Sequence, residues 1–175
     1  IAIGNIGLDH KEFLGDTIEK IAEEKLAVIE KNSIVISCNQ NSQVENLITK
    51  KVKEVGAEII WKDSISNSYE LGLKGIFQKQ NASVALGAIE ALNNLGFNIK
   101  GTHISEGLKK TSWQGRLEII NFLNKEILVD CAHNYPAAKA LSHERSNWEN
   151  EDKGIYWILG VQRQKDIYAI LKTLL

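Results

Sequence analysis

Polar side chains follow an apolar run in the stretch "ILVDCAHNYPAAKAL", residues 127–141. Asp130 comes directly after three aliphatic residues, and His133 and Asn134 follow within four positions. A carboxylate, an imidazole and an amide are thereby gathered after a strand and ahead of a helix that begins near Pro136. The carboxyl ends of strands form the ligand crevices of open α/β sheets. The spacing therefore predicts a ligand-binding site here, since a purely structural turn does not need so many polar groups.

A second polar pair follows a strand-like run at the start of the chain, in "NIGLDH", residues 5–10. His10 offers an imidazole nitrogen that suits a divalent metal, and Asp9 precedes it. A solvent-facing histidine at a strand end is the alternative interpretation.

Lys25 lies in the helical pattern "GDTIEKIAEEKLAVIEKN", residues 15–32, within an apolar stripe. The stripe consists of Ile18, Ile21, Ala22, Val28 and Ile29. On a helical wheel Lys25 falls near its middle, so we expect its ammonium to point inward. Either the lysine snorkels or meets a buried carboxylate, or its desolvated neutral amine reacts with carbon dioxide to form a carbamate, which can ligate a metal.

Two further residues have types that suit a nucleotide. Asn81 shares a helix face with Ala85, Ala88 and Leu92, where its amide can cap the helix or bind the donor and acceptor edge of a base. Arg116, in "WQGRLE", carries a fork that suits a phosphate or a carboxylate, and an interdomain salt bridge is the alternative.

The composition is that of a globular protein, with 175 residues, 43% of them hydrophobic, and a formal net charge of −1. This balance points to neither nucleic acid nor a membrane as a partner. There is no apolar stretch of about 18 residues and no signal-peptide pattern, so we expect a cytoplasmic protein. Cys38 and Cys131 lack C-x-x-C spacing, which predicts strand-end thiols and neither a zinc site nor a disulfide.

The elements that must position these residues alternate between strand and helix patterns, which predicts an α/β fold with a mainly parallel sheet. Strands are expected at residues 1–6, 34–37, 58–61, 117–122, 127–129 and 155–159, and helices at 17–31, 43–55, 78–95, 103–111, 137–148 and 166–175. A domain boundary is expected in "KKTSWQGRLEII", between residues 112 and 113. The absence of methionine, the opening within "IAIGNIG" and the ending in "DIYAILKTLL" predict an internal piece of a longer protein.

Five blocks together resemble the folylpolyglutamate synthase and dihydrofolate synthase family, relatives of the Mur ligases. They are "NIGLDHKEFLGDTIEKIAEEK", "QKQNASVAL", "WQGRLE", "VDCAHNYPAAKAL" and "ILGVQRQKD". They occur in the order of the family and span nearly the whole chain.

The resemblance implies an ATP-dependent ligase that joins L-glutamate to dihydropteroate or a folate through an acyl phosphate, in a monomer. It implies the later part of a P-loop-type, Mur-ligase-like ATP-binding domain in residues 1–112. The start of a Rossmann-like glutamate-ligase domain would occupy residues 113–175.

The resemblance also assigns roles to residues. His10 and a carbamylated Lys25 would bind Mg²⁺. Lys25 would also be catalytic, and so would His133, which with Asn134 would complete the wall that faces ATP. The residues that would contact ATP are Asn81, Arg116, Asp130 and Asn134.

The sequence departs from the family in one respect that keeps other interpretations open. The phosphate-binding pattern G-x-x-x-x-G-K-[ST] does not occur in it, and we expect that loop to precede Ile1. A non-catalytic remnant of the fold is therefore one alternative. A Mur-type ligase that acts on a peptidoglycan precursor, a sister family, is the other.

Overall fold

The structure is a computed structural model that describes residues 1–65, 68–148 and 155–175. The chain divides into two compact units, Ile1–Trp113 and Gln114–Leu175. Within the described ranges no helix has the length and apolar character needed to cross a membrane.

The first unit contains a parallel sheet of three strands in the order β1-β2-β3. The strands are β1 (Ala2–Ile3), β2 (Ile34–Cys38) and β3 (Glu58–Lys62). Parallel neighbours cannot be joined by a tight turn, and helices make the connections. This arrangement confirms the predicted α/β class.

Five helices accompany this sheet: α1 (Lys11–Leu14), α2 (Ile18–Leu26), α3 (Ser42–Val55), α4 (Phe77–Asn94) and α5 (Gly101–Lys110). Asn41 caps α3 by accepting a hydrogen bond from the Val44 amide at 2.9 Å, and Gly56 ends that helix in the left-handed region with φ 71°. The expected helix over residues 17–31 is too long. It ends at Leu26, and Ile29 reaches the core from a turn in which its amide bonds the Leu26 carbonyl.

Side chains of β2 point alternately to the two faces of the sheet, and each face has its own core. Val35 packs on the face of α2 and α3, in a core of Ile3, Ile6, Ile21, Ala22, Leu26, Ile29, Val44, Ile48 and Val52. Ile36 and Cys38 pack on the opposite face against Val84 and Ala91 of α4. Burial raises the pKa of the Cys38 thiol. The sheet is thereby covered on both sides, as a parallel sheet requires.

The second unit contains a β-hairpin, β4 (Glu118–Phe122) and β5 (Lys125–Val129), with Ile120 opposite Ile127. Leu123 and Asn124 form its two-residue turn with φ 47° and 60°, which suits a hairpin with right-handed twist. These two strands are antiparallel, because a two-residue link cannot join parallel neighbours. The expected strand at residues 155–159 is wrong, since its described backbone is not a strand.

The described residues after the hairpin form α6 (Tyr135–Ser142), a short 3₁₀ helix at Arg145–Asn147 and α7 (Ile167–Leu174). The apolar core that α6 and α7 share is formed by Ala138, Leu141, Ile170 and Leu174. The expected helix over residues 137–148 is therefore two separate elements.

Candidate functional site

A glutamine side chain continues the sheet beyond the end of β1. Gln40 Nε2 donates to the Gly4 carbonyl at 2.9 Å, and Gln40 Oε1 accepts from the Ile6 amide at 2.9 Å. One residue in a parallel ladder makes the same pair of bonds to its neighbouring strand. The Gln40 amide therefore takes the place of a β2 peptide group opposite Asn5, and the apolar run 1–6 contains only two strand residues for this reason.

Gln40 is itself held by the end of β2 and the start of α3. Its Nε2 also donates to Ser37 Oγ at 3.1 Å, and its backbone amide donates to Glu45 Oε1 at 2.9 Å. Ser37 Oγ, which is fully buried, lies 3.1 Å from the Ile3 carbonyl oxygen. The segment that leads to Asp9 is thus fixed at the carboxyl edge of the sheet. Sequence reasoning missed Ser37 and Gln40, although polar residues after a buried strand are the signal that it used elsewhere.

His10 stands beside a carboxylate at this edge. Its Nε2 lies 3.4 Å from Asp9 Oδ2, and its backbone amide donates to Asp9 Oδ1 at 3.0 Å. The His10 side chain is 53% exposed. The part of the chain that the structure describes holds no group of three or more His, Cys, Asp or Glu residues that could bind a metal ion. Because Mg²⁺ requires about six mostly oxygen ligands, this donor set alone does not complete a magnesium shell.

Lys25 does not point into the core. The side chains buried on α2 are Ile21, Ala22 and Leu26, whereas Lys25 is exposed and Val28 is 57% exposed. The expectation of an inward ammonium is wrong: Lys25 lies on the apolar stripe of α2 but in its last turn, and its long side chain is exposed, as the snorkelling alternative predicts. The exposed side chain therefore gives no structural support to a carbamate at this position.

Asn81 lies on the rim of a pocket in the first unit. It belongs to the second turn of α4, which starts at Phe77 without a side-chain cap, so the capping interpretation is wrong. Its Nδ2 donates to Gln78 Oε1 at 2.8 Å. The pocket has a volume of about 160 Å³. Its walls include Leu71, Leu73, Ala82, Ala85 and Leu108.

The wall of the pocket that carries Leu71 and Leu73 is tied to the end of α5. The Gly72 amide donates to the Leu108 carbonyl at 2.9 Å. A Cβ at Gly72 would lie 2.4 Å from the carbonyl oxygens of Lys109 and Thr111, so only glycine allows this approach. Lys109 Nζ lies 2.8 Å from Glu70 Oε2, and this hydrogen bond raises the pKa of Lys109. The result is an apolar slot with amide groups at its edge, a shape that suits a flat ring system.

In the second unit one carboxylate joins the two segments that carry the predicted residues. Asp130 Oδ2 accepts from the Leu117 amide at 3.0 Å, and Oδ1 accepts from the Ala132 amide at 2.8 Å. The Gly115 carbonyl accepts from the Cys131 amide at 2.9 Å. The turn that presents the exposed Arg116 is therefore fixed beside Asp130.

His133 and Asn134 have different local functions. His133 Nδ1 lies 2.8 Å from the Cys131 carbonyl. A carbonyl only accepts hydrogen bonds, so Nδ1 carries the proton and a neutral ring has its acceptor at Nε2. Asn134 caps α6, since its Oδ1 accepts from the Ala137 amide at 2.9 Å.

The predicted residues thus fall into separate groups. Arg116, Asp130, His133 and Asn134 lie on two joined segments of the second unit. His10, Lys25 and Asn81 belong to the first unit, where the His10 segment follows β1 and the Asn81 pocket is built on α4.

Relatives with established names match nearly the whole chain. The chain is 32% identical over 193 residues to the probable dihydrofolate synthetase of Schizosaccharomyces pombe, an alignment that covers 99% of this chain and 46% of that protein. It is 30% identical to the dihydrofolate synthase/folylpolyglutamate synthase of Buchnera aphidicola from Acyrthosiphon pisum, over 98% of this chain and 44% of that protein. The chain belongs to the folylpolyglutamate synthase and dihydrofolate synthase family. It spans about half the length of the curated relatives that it matches. No protein-family model matches it.

Solved structures of this family share the fold. Folylpolyglutamate synthase of Mycobacterium tuberculosis complexed with ADP superimposes with a TM-score of 0.84 at 23% identity, over 98% of this chain and 43% of that one. Escherichia coli FolC in complex with DHPP and ADP superimposes with a TM-score of 0.79 at 21% identity, over 97% of this chain and 43% of that one.

Proposed function

We propose that the protein that carries this chain is an ATP-dependent ligase that forms an amide between L-glutamate and dihydropteroate or a folate. The observation that carries the proposal is the similarity to named dihydrofolate synthetases over 99% of the chain. In this reaction ATP phosphorylates the acceptor carboxylate, and the glutamate amine then displaces phosphate from the acyl phosphate. Residues 1–112 belong to the ATP-binding domain, and residues 113–175 belong to the glutamate-ligase domain.

The adenine base of ATP binds in the pocket of the first unit. Its apolar walls accept the ring faces, and Asn81 meets the polar edge of the base. In support, structures with this fold have been solved with ADP and with AMPPCP.

Arg116, Asp130 and Asn134 of the second unit are proposed as further residues that contact ATP. Arg116 is exposed and offers five N–H donors in a fixed fork, which suits an anionic oxygen pair. Asp130 orients the turn that presents Arg116 through its bond to the Leu117 amide. His133 is oriented by the hydrogen bond between its Nδ1 and the Cys131 carbonyl, and it is proposed as a catalytic residue.

His10 and Lys25 are proposed as ligands of Mg²⁺, with Lys25 as its carbamate. Mg²⁺ neutralises charge on the phosphate groups when it is bound. The support for His10 is its place at the carboxyl edge of the sheet beside Asp9. The Lys25 side chain is exposed and gives no structural support for this role. The support for Lys25 is therefore the family resemblance alone.

The ligase proposal is tested by amide formation with defined acceptors. The whole protein that carries this chain is incubated with ATP, Mg²⁺ and radiolabelled L-glutamate, together with dihydropteroate, a tetrahydrofolate or a peptidoglycan precursor. We expect labelled product and stoichiometric phosphate release with one or both pteridine acceptors. Product only with the peptidoglycan precursor would indicate a Mur-type ligase. No product with any acceptor, together with no ADP binding, would indicate a non-catalytic remnant.

A further inference from the structure

Gln78 and Asn81 form a pair of amides on one face of α4. They are three residues apart, so their side chains are neighbours on the helix surface. Gln78 is only 5% exposed, whereas Asn81 is exposed on the rim of the pocket. The bond from Asn81 Nδ2 to Gln78 Oε1 is 2.8 Å long. The exposed amide is thus held by a buried one.

This bond selects one of two orientations of the Asn81 amide. A primary amide has two N–H donors on its nitrogen and an acceptor on its oxygen, and a half-turn of the group exchanges the two ends. Because Gln78 presents its oxygen, the nitrogen of Asn81 must face Gln78. Asn81 Oδ1 and the second N–H of Nδ2 then remain for a ligand.

We propose that Gln78 is a positioning residue that makes this pocket prefer adenine over hypoxanthine, a preference that rests on the proposed binding of ATP here. The held amide accepts from the 6-amino group of adenine and donates to the adjacent ring nitrogen, which is the pairing that asparagine makes with this base. Hypoxanthine carries a carbonyl oxygen at position 6. That oxygen would face Asn81 Oδ1, and two acceptors repel each other.

Without the acceptor on residue 78 the Asn81 amide is free to turn. Its nitrogen can then donate to the 6-oxygen of hypoxanthine, so the discrimination between the two bases falls. Gln78→Met keeps the length and volume of the side chain and removes the acceptor. Gln78→Glu keeps an acceptor oxygen that can hold the Asn81 nitrogen in place. Gln80→Met is the matched control, because Gln80 is an exposed glutamine on the same helix.

The experiment measures dissociation constants of ADP and IDP for the protein and its variants by calorimetry, with circular dichroism as a check of folding. We expect the wild-type protein and Gln80→Met to bind ADP more tightly than IDP with the same ratio. In Gln78→Met the ratio should fall about fivefold to tenfold, in line with the loss of one base-specific contact. Gln78→Glu should keep the wild-type ratio.

The outcomes separate this inference from the proposed function. A wild-type protein that binds ADP no better than IDP would overturn the adenine site and with it the role of Gln78. A wild-type preference for ADP that survives in Gln78→Met would leave the adenine site standing and overturn the role of Gln78. If Gln78→Met does not fold, Gln78→Leu takes its place, because it also removes the acceptor, and a preference for ADP that survives in Gln78→Leu overturns the role of Gln78.

Discussion

Asp130 joins two segments of the second unit with one carboxylate. Each of its oxygens accepts one backbone amide, from Leu117 and from Ala132. In Asp130→Asn the amide nitrogen must face one of these N–H groups, so one hydrogen bond is lost. We expect the free energy of unfolding of this unit to fall by about 1–3 kcal/mol, measured by urea denaturation.

Glu126→Gln supplies the control for this change, since Glu126 is exposed on β5 and the same loss of charge should alter stability by less than about 0.5 kcal/mol. Equal stability of Asp130→Asn and Glu126→Gln would mean that the two bonds of Asp130 do not hold the turn.

Substitutions of Lys25 separate an effect on activity from an effect on stability. Because its side chain is exposed, Lys25→Ala should change the free energy of unfolding by less than about 0.5 kcal/mol. If the residue acts as a carbamate, ligase activity should nevertheless be lost and should return in part when acetate supplies the missing carboxylate oxygens. Lys25→Arg should be inactive and should not respond to acetate.

Lys20→Ala, at another exposed lysine of α2, should keep full activity. Wild-type rates in Lys25→Arg would assign Lys25 to the solvated surface and remove it from the metal site.

The location of the candidate site residues could be predicted from the sequence more reliably than the orientation of their side chains. The cluster after β5 is found where the pattern indicates, because an apolar run followed by polar residues marks a strand end. The direction of Lys25 could not be predicted, because its flexible side chain lets the ammonium reach water from a position on the apolar stripe of α2.

At the scale of elements, the Gln40 side chain lengthens the β1–β2 pairing without adding a strand residue. Gln40→Leu keeps most of the volume and leaves the Gly4 carbonyl and the Ile6 amide without their partner. We expect a loss of about 1–3 kcal/mol in the free energy of unfolding and faster hydrogen exchange of the Ile6 amide. Hydrogen exchange detected by NMR or mass spectrometry checks the local effect.

Gln43→Leu is the control for that experiment, because Gln43 is an exposed residue of α3. Unchanged exchange of the Ile6 amide in Gln40→Leu would show that the segment leading to His10 is held by other contacts.

The wall of the base pocket depends on a close approach between two backbones. In Gly72→Ala the new methyl group would lie 2.4 Å from two carbonyl oxygens of the Lys109–Thr111 turn, so the segment with Leu71 and Leu73 must move. Displacing this wall should weaken ADP binding about tenfold or more, with a cost in stability of about 1–3 kcal/mol. Calorimetric titration with ADP measures the first effect, and urea denaturation measures the second.

Gly107→Ala in α5 is its control. A Cβ there meets nothing within 4 Å, so alanine in the helix should leave stability unchanged or raise it by up to about 1 kcal/mol. Binding of ADP by Gly72→Ala as tight as by the wild-type chain would show that the adenine base does not bind in this pocket.

Apart from α1 and residues 155–159, the types of the elements followed from the sequence, whereas the pairing of the strands did not. Helical periodicity locates α3 within one residue at its start, and its residues 43–55 were expected to be helical. The antiparallel pairing of β4 and β5 could not be separated from a parallel arrangement by periodicity. The left-handed turn at Leu123 and Asn124 decides it, and leucine gives no signal for such a conformation.

At the scale of the whole chain, two compact units carry different parts of the proposed chemistry. The first contributes an apolar pocket for a base, and the second contributes an arginine beside a fixed carboxylate. Binding of the base requires only the first unit, because the walls of the pocket and the Gln78–Asn81 amide pair all belong to that unit. Transfer of a phosphoryl group requires more, since charge on the phosphate oxygens must be cradled and neutralised.

That difference leads to a prediction for the 175-residue chain. It contains no G-x-x-x-x-G-K-[ST] segment, whose backbone amides and lysine hold the β- and γ-phosphates in P-loop enzymes. Its described residues also hold no cluster of three His, Cys, Asp or Glu side chains for a metal. We therefore expect the purified chain to bind ADP and to release no phosphate from ATP and Mg²⁺ above background, in a coupled phosphate assay. The His10→Ala variant should give the same baseline. Steady phosphate release that His10→Ala leaves unchanged would contradict the prediction, because turnover would then need neither that loop nor the imidazole at the edge of the sheet.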